Sequence, residues 1–215
     1  MTPNKEDYLK CLYELGTRNK KITNKEIAQL MQVSPPAVTE MMKKMLAEEL
    51  LIKDKKAGYL LTDLGLRLVS DLYRKHRLIE VFLVHHLGYT SEEIHEEAEV
   101  LEHTVSDHFV EQLDKLLGFP TTCPHGGTIP AKGELLVEQN NQTLGETKES
   151  GTYILTRVHD DFDLLTYLER NGLQVGKTIR FLSYDDYSQL YSLEVDNQEI
   201  QVGQAVAQQI YVEKL

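Results

Sequence analysis

The chain has no uninterrupted apolar run approaching the ~20 residues that a bilayer-spanning helix needs. Its first residues, MTPNKEDYLK, lack the apolar stretch of a secretory signal. No membrane partner is expected, and the reading is of a cytoplasmic protein. Cysteine is scarce. Cys11 and Cys123 are the two present, which fits a reducing compartment where a thiol is inert or a ligand rather than part of a disulfide framework. Basic residues are also in short supply: 23 Lys and Arg against 34 Asp and Glu, for a net charge of −11. Taken whole, that deficit argues against a nucleic-acid partner; taken by segment it does not. Residues 1–70 hold 12 basic and 9 acidic side chains, whereas the remaining 145 residues hold 11 and 25. Phosphate binding needs local positive charge, not a basic whole protein. A head at +3 on a body at −14 points to a partitioned function.

At 215 residues the chain can build two or three small cores. The periodicities divide it accordingly. Tyr8, Leu12 and Leu15 recur at helical spacing over Lys5–Leu15. Thr23 and Glu26 form a capping box for a second helix, with Ile27, Leu30 and Met31 inward. After a short turn, Ser34 caps a third helix that opens on Pro35. Val38, Met41, Met42, Met45 and Leu46 face its interior, while Pro36, Thr39 and Lys43 share the other face. Strands at Leu50–Lys53 and Tyr59–Leu61 flank the basic tip Asp54-Lys55-Lys56-Ala57-Gly58. Two capped helices, a tight turn and a hairpin make a winged helix-turn-helix. On that reading Ser34, Pro36, Thr39, Lys43, Lys44, Lys55 and Lys56 are the DNA-contacting residues.

Thr62 opens a long helix to about Leu87, with Gly88 as its terminator. Ser91 caps the next helix, through His103, and another runs from about Val105 to Leu117. Its Val105, Phe109, Leu113 and Leu116 form an apolar stripe, the kind that fills a core or packs on a second subunit. Residues 120–133 read as loop and 138–150 as a polar linker. Beyond them lie strands at Tyr153–Val158, Thr178–Leu182, Ser188–Val195, Glu199–Val202 and Ile210–Val212, and a short helix at Asp163–Arg170. They make a small β-rich, barrel-like domain. The fold class is therefore mainly α with small β. Residues 1–70 are the winged helix-turn-helix, 71–140 a helical domain, and 141–215 the linker and β-domain.

Chemistry concentrates in the middle. His95, Glu99, Glu102 and His103 stand at i, i+4, i+7 and i+8, one stripe of one helix. Buried unpaired, such groups cost several kcal/mol each; a divalent cation resolves the conflict, and so does water if the stripe is solvated. His76 and Glu80 repeat the i, i+4 spacing on the long helix, and a loop offers Cys123-Pro124-His125. Asp160 and Asp161 follow a strand and could close a site, with spacing unable to choose between them. His85, His86, His108 and His159 have no ligand spacing.

Glu6-Asp7-Tyr8-Leu9, Ser34-Pro35-Pro36-Ala37-Val38-Thr39, Leu61-Thr62-x-x-Gly65, Arg74-Lys75-His76 with Glu80, Glu99-x-x-Glu102-His103 and Cys123-Pro124-His125-Gly126 with Ile129-Pro130 together resemble the diphtheria-toxin-repressor family of metal-dependent regulators, over the whole length and most closely its manganese-responsive branch. The resemblance implies a homodimer on a double-stranded DNA operator, with 71–140 as the helical dimerisation and metal-binding domain and an SH3-like C-terminal domain. It implies one metal site at Asp7, His76, Glu99, Glu102 and His103, coupling the reading head to the dimer domain, and a second at Glu80, Cys123, His125 and Asp160, with His95 a lesser member. Iron-responsive members carry Met and Cys where Asp7 and Glu99 stand, and hard oxygen in place of sulfur shifts preference toward Mn2+, with Zn2+ or Fe2+ as alternates. Members lacking the third domain often carry a further Glu where Lys10 stands, which argues against a two-metal cluster of their type.

The expected function is a manganese-dependent transcriptional repressor, probing metal supply and controlling metal-uptake genes, and not an enzyme. A zinc metallohydrolase is the first alternative, since Glu99-x-x-Glu102-His103 has a trace of a zincin helix, but it lacks the second motif His. A DNA-binding regulator answering to an organic effector is the second, and two ligand constellations on adjacent helices stand against it.

Overall fold

The computed structural model describes residues 1–17, 21–90 and 93–215. They form two compact units, each discontinuous in sequence: Met1–His76 with Leu101–Ser106 and Pro130–Leu136, and Arg77–Val100 with Asp107–Ile129 and Val137–Leu215.

In the first unit, α1 (Pro3–Thr17), α2 (Asn24–Leu30) and α3 (Pro35–Ala47) precede the antiparallel hairpin of β1 (Leu51–Asp54) and β2 (Gly58–Leu61). The caps form as expected. The Thr23 hydroxyl accepts from the Glu26 amide, and the Glu26 carboxylate accepts from the Thr23 amide. Ser34 accepts from the Ala37 amide, with proline at the start of α3. Tyr8, Leu9, Leu12, Ile27, Val38, Met42 and Met45 fill one core with Val69 and Tyr73 of α4 (Asp63–Phe82) and Leu136. Met41 and Leu46 are only partly covered. At the hairpin tip the Asp54 carboxylate accepts from the amides of Lys56 and Ala57 at 2.7 Å each. Gly58, at φ +83°, follows; a Cβ there would lie 2.0 Å from the Ile22 carbonyl oxygen, so glycine is what lets the wing close on residue 22. The segment 130–136 returns to α4 through the Leu136 amide, which donates to Ser70 Oγ at 2.8 Å.

In the second unit the long helix does not run unbroken to Leu87. It turns π-helical over Leu83–Leu87, and Gly88 at φ 71° ends it. The next helix, α5, spans Glu93–Glu102. Its expected cap, Ser91, lies outside the described residues; a reciprocal pair is made instead by Thr90 and Glu93, the Glu93 carboxylate accepting from the Thr90 amide at 2.9 Å. The helix α6 is Asp107–Leu116. Its apolar stripe is split: Val110 and Leu113 are buried, Phe109 and Leu116 exposed. The five strands β3 (Gly151–Val158), β4 (Thr178–Asp185), β5 (Leu190–Val195), β6 (Gln198–Gly203) and β7 (Ile210–Lys214) are antiparallel in the order β6-β5-β4-β3-β7. Along β5 alternate residues are buried, as a half-solvated strand requires. Asp196 and Asn197, both at positive φ, make the two-residue β5–β6 turn. The helix α7 (Phe162–Arg170) buries Leu164, Leu165 and Leu168 in the same core, and a short α8 (Gln204–Ala207), absent from the periodicity, follows β6.

The polar stretch 138–150 is not a simple linker. Leu144 is fully buried in the β-domain core, and Thr143 bridges to Tyr211. One leucine in a run of polar residues gives no periodicity, so its burial was hidden in the sequence.

Candidate metal centres

The first cluster lies in the first unit. Asp7 comes from α1; Glu102 ends α5, and His103 follows it. Asp7, Glu102 and His103 each offer a ligand atom within 4.8 Å of the others. His103 Nε2 lies 3.0 Å from Asp7 Oδ1 and 3.5 Å from Glu102 Oε1. Its other nitrogen, Nδ1, lies 2.6 Å from Glu6 Oε2. A carboxylate only accepts, so Nδ1 donates to Glu6, and that bond turns Nε2 toward Asp7 and Glu102. This is the outer-shell pattern that orients a ligating imidazole. Glu6 sits beside Asp7 in the sequence, yet nothing in spacing assigned it that task.

His76 enters through Glu102. Its Nδ1 donates to Glu102 Oε2 at 2.6 Å, both side chains being 1% exposed. Lys10 lies on the same carboxylate, its Nζ 3.0 Å from Oε1. Burial pushes Glu102 up, but the hydrogen bond from His76 and the charge of Lys10 outweigh it and hold the carboxyl below its ordinary value. Glu99, half-exposed in the second unit, has His95 Nε2 at 3.7 Å, one turn earlier on α5.

The second cluster lies in the second unit. Glu80 of α4, Cys123 and His125 of the loop after α6, and Asp160 after β3 bring four ligand atoms within 4.8 Å of one another. Glu80 and His95 also carry ligand atoms at that separation. The loop reaches β3 because residue 126 is glycine: at φ +79°, a Cβ would lie 2.0 Å from the Thr156 carbonyl oxygen. The Val158 amide donates to the His125 carbonyl at 3.0 Å and fixes that approach. His125 Nδ1 faces both Glu80, at 3.1 Å, and Asp160. Its buried Nε2 has no hydrogen-bond partner among the described residues. Burial opposes a charged imidazole there, but Asp160 and Glu80 override it and push the pKa up to about 11. Burial, with Glu80 and Asp160, raises the Cys123 thiol well above its ordinary value. A buried set of one sulfur, one nitrogen and two carboxylates, held together by trapped protons, fits a divalent cation. A cation would take over the neutralising role of those protons. Zinc-type ions suit the thiolate, and Mn2+ suits the oxygens.

The segments carrying this cluster are joined by Glu138, which the sequence did not single out. Its Oε1 lies 2.6 Å from Arg77 Nη2, three residues before Glu80, and 3.9 Å from Arg157 Nη1, three residues before Asp160. Its Oε2 accepts from the Thr128 amide at 3.0 Å, three residues after His125. Burial raises the Glu138 carboxyl, but Arg77, the Thr128 amide and Arg157 together bring it below its usual range. His159, with no ligand spacing, pairs with the Tyr211 hydroxyl at 3.0 Å.

The residues expected at DNA are all exposed: Ser34, Pro36, Thr39, Lys43 and Lys44 on or capping α3, Lys55 and Lys56 on the hairpin tip. Thr39 Oγ1 also accepts from Asn24 of α2 at 2.9 Å, and Lys44 pairs with Glu40 at 2.8 Å.

Residues 1–59 match the iron dependent repressor N-terminal DNA binding domain, 62–131 the iron dependent repressor metal binding and dimerisation domain, and 142–214 the FeoA domain. ScaR, solved with bound Zn2+, is 85% identical, with 98% of this chain and 99% of that one covered at a TM-score of 0.94. The manganese regulator SloR is 60% identical over the full length of both chains at a TM-score of 0.91. The iron-dependent repressor IdeR of Mycobacterium tuberculosis is 35% identical over 181 residues, 78% of this chain and 79% of that protein. With all three segments matched in order, and with such relatives aligned over most or all of its length, the chain is a member of the diphtheria-toxin-repressor family of metal-dependent transcriptional regulators.

Proposed function

We infer that the protein is a manganese-dependent repressor acting as a cytoplasmic homodimer on a palindromic operator, with divisions at 1–70, 71–140 and 141–215, and that it controls metal-uptake genes. ScaR is described as a manganese-activated repressor and SloR as a manganese regulator, which supports Mn2+ as the effector. The same ScaR chain with Zn2+ or Cd2+ bound is consistent with a site that is not restricted to one ion.

The observation that carries the reading is the convergence of Asp7 with Glu102 and His103. Asp7 belongs to the first helix of the DNA-reading head; Glu102 ends a helix from the middle of the chain and His103 follows it. Glu6 holds the His103 ring, and His76 holds Glu102. A divalent charge bound there draws two carboxylates and an imidazole to one point, and so fixes α1 against residues 101–106. Half-sites one turn apart demand recognition helices ~34 Å apart, so a small restriction of the head changes fit. A coupling of ~1–3 kcal/mol changes affinity about 5- to 150-fold. Glu99 is retained as a ligand of this site, and Glu80, Cys123, His125 and Asp160 as ligands of the other.

For DNA, Pro36 and Thr39 meet base edges or thymine methyls, and Lys43, Lys44, Lys55 and Lys56 meet phosphates, with Ser34 at the helix start beside them. Exposed Val100, Phe109, Leu116 and Phe119 provide the apolar surface for the second subunit. The test is fluorescence anisotropy on a duplex enriched from a random palindromic pool in the presence of Mn2+, with Mn2+, Fe2+, Zn2+ and chelator compared at fixed salt. Asp7→Ala should lose most of the Mn2+-dependent gain in affinity while keeping its helical content. Full Mn2+-dependent affinity in that variant would count decisively against the coupling.

A further inference from the structure

Lys10 is nine-tenths buried on α1 and puts its ammonium on both oxygens of Glu102, at 3.0 and 3.3 Å. Lysine is seldom covered to this degree unless paired. The pairing has a consequence for the first cluster, because the nearer oxygen, Oε1, is the one that also faces His103 Nε2 at 3.5 Å. The ligand set of Asp7, Glu102 and His103 therefore draws on an oxygen that already has a cation beside it. Oε2 is occupied by His76 at 2.6 Å. A divalent ion sharing Oε1 with an ammonium would meet like-charge repulsion at short range in a site only partly screened by water. The lysine has somewhere to go. Its Nζ lies 5.8 Å from the centre of the Tyr73 ring. Glu14 stands one helical turn further along α1, already accepting from the Tyr73 hydroxyl at 3.1 Å. A flexible four-carbon stem with a compact charge suits such a shift.

We propose that Lys10 is an internal competitor of the metal: its ammonium holds Glu102 and must leave the shared oxygen for a divalent cation to enter, which raises the metal concentration at which the Asp7–Glu102–His103 site fills. This rests on that cluster being a metal site. The arithmetic is that of a binding-competent state populated in only a fraction of molecules, where apparent affinity falls by that fraction. Lys10 is thus a positioning residue that sets a threshold. A purely structural lysine, holding Glu102 in place for the ion, would act in the opposite sense.

The experiment is calorimetric titration of Mn2+ alone into the full-length chain, comparing the parent with Lys10→Met, Lys10→Gln and Lys10→Arg. His103→Ala and Cys123→Ser identify which binding events belong to which cluster. The expected result is that Lys10→Met and Lys10→Gln bind Mn2+ about tenfold or more tightly at the His103-dependent site, with the Cys123-dependent site unchanged and Lys10→Arg close to the parent. Unchanged or weaker binding at the His103-dependent site in both neutral variants overturns the proposal while leaving the site itself in place. Absence of any His103-dependent binding in parent and variants alike overturns the reading of the cluster as a metal site, and the proposal with it. Thermal unfolding guards against a folding defect: the neutral variants should melt lower than the parent in chelator and gain more from Mn2+, and an equal or smaller gain contradicts the competition.

Discussion

Cys123 and His125, as the proposed ligands, hold protons that a metal would have to displace. The carboxylates of Asp160 and Glu80 keep His125 charged up to about pH 11, and burial keeps Cys123 a thiol. At neutral pH both are protonated in the metal-free protein. Metal entry should therefore release about two protons per ion at this site, read as a buffer-dependent enthalpy in calorimetry across buffers of different ionisation heat. The sign follows directly: raising pH removes a competitor, so affinity rises with pH throughout the range below about 11. Buffer-independent enthalpies would contradict the assignment. Glu138 offers a second test at this scale. Its carboxylate joins Arg77, Arg157 and the Thr128 amide, each three residues from a proposed ligand. Glu138→Gln should weaken binding at the Cys123 site by about 10- to 100-fold, as loss of outer-shell support commonly does. The Co2+–thiolate absorption band reports it, and an unaltered titration would remove Glu138 from the site. Little of this was legible in advance. Cys123 and His125 were visible by type and spacing, and Asp160 only through the family resemblance. Glu138 was not singled out, Glu6 entered only as part of a family motif and Lys10 only as a departure from the family, because a charged residue reads as solvated unless its partner is known, and their partners lie 61, 97 and 92 residues away.

Among the elements, those with local chemical signatures were the readable ones. The Thr23–Glu26 capping box, the Ser34 cap with its proline, the Gly88 terminator and the Asp196–Asn197 turn each rest on residues within a few positions of one another. What depended on distant packing was misjudged. Leu144, in a stretch whose polarity reads as linker, is wholly buried against the β-domain core. Leu144→Ala should destabilise that domain by about 2–5 kcal/mol, measured by denaturant unfolding; a change below about 0.5 kcal/mol, typical of a surface site, would restore the linker reading. The π-helical turn at Leu83–Leu87 was equally silent, since the apolar pattern of an α-helix continues through it.

On the scale of the whole molecule, the segregation of charge separates two tasks. The head carries the surplus of positive side chains, and the remainder carries the deficit. DNA affinity should fall with salt. Replacing Lys55 or Lys56 by Ala at the hairpin tip should weaken all sequences alike and flatten the log–log salt slope by about one unit per phosphate contact. A change in sequence preference with the slope intact would place those lysines elsewhere.

The path of the backbone carries one more implication. The chain passes between its two compact units five times, and the first unit borrows residues 101–106 and 130–136 from far along the sequence. Leu136 belongs to the helix-turn-helix core, and Glu102 and His103 face Asp7. A contiguous N-terminal fragment would therefore lack part of the core of the DNA-reading unit. Recombination or truncation after residue 70 would strip it of Tyr73, His76 and both returning segments at once.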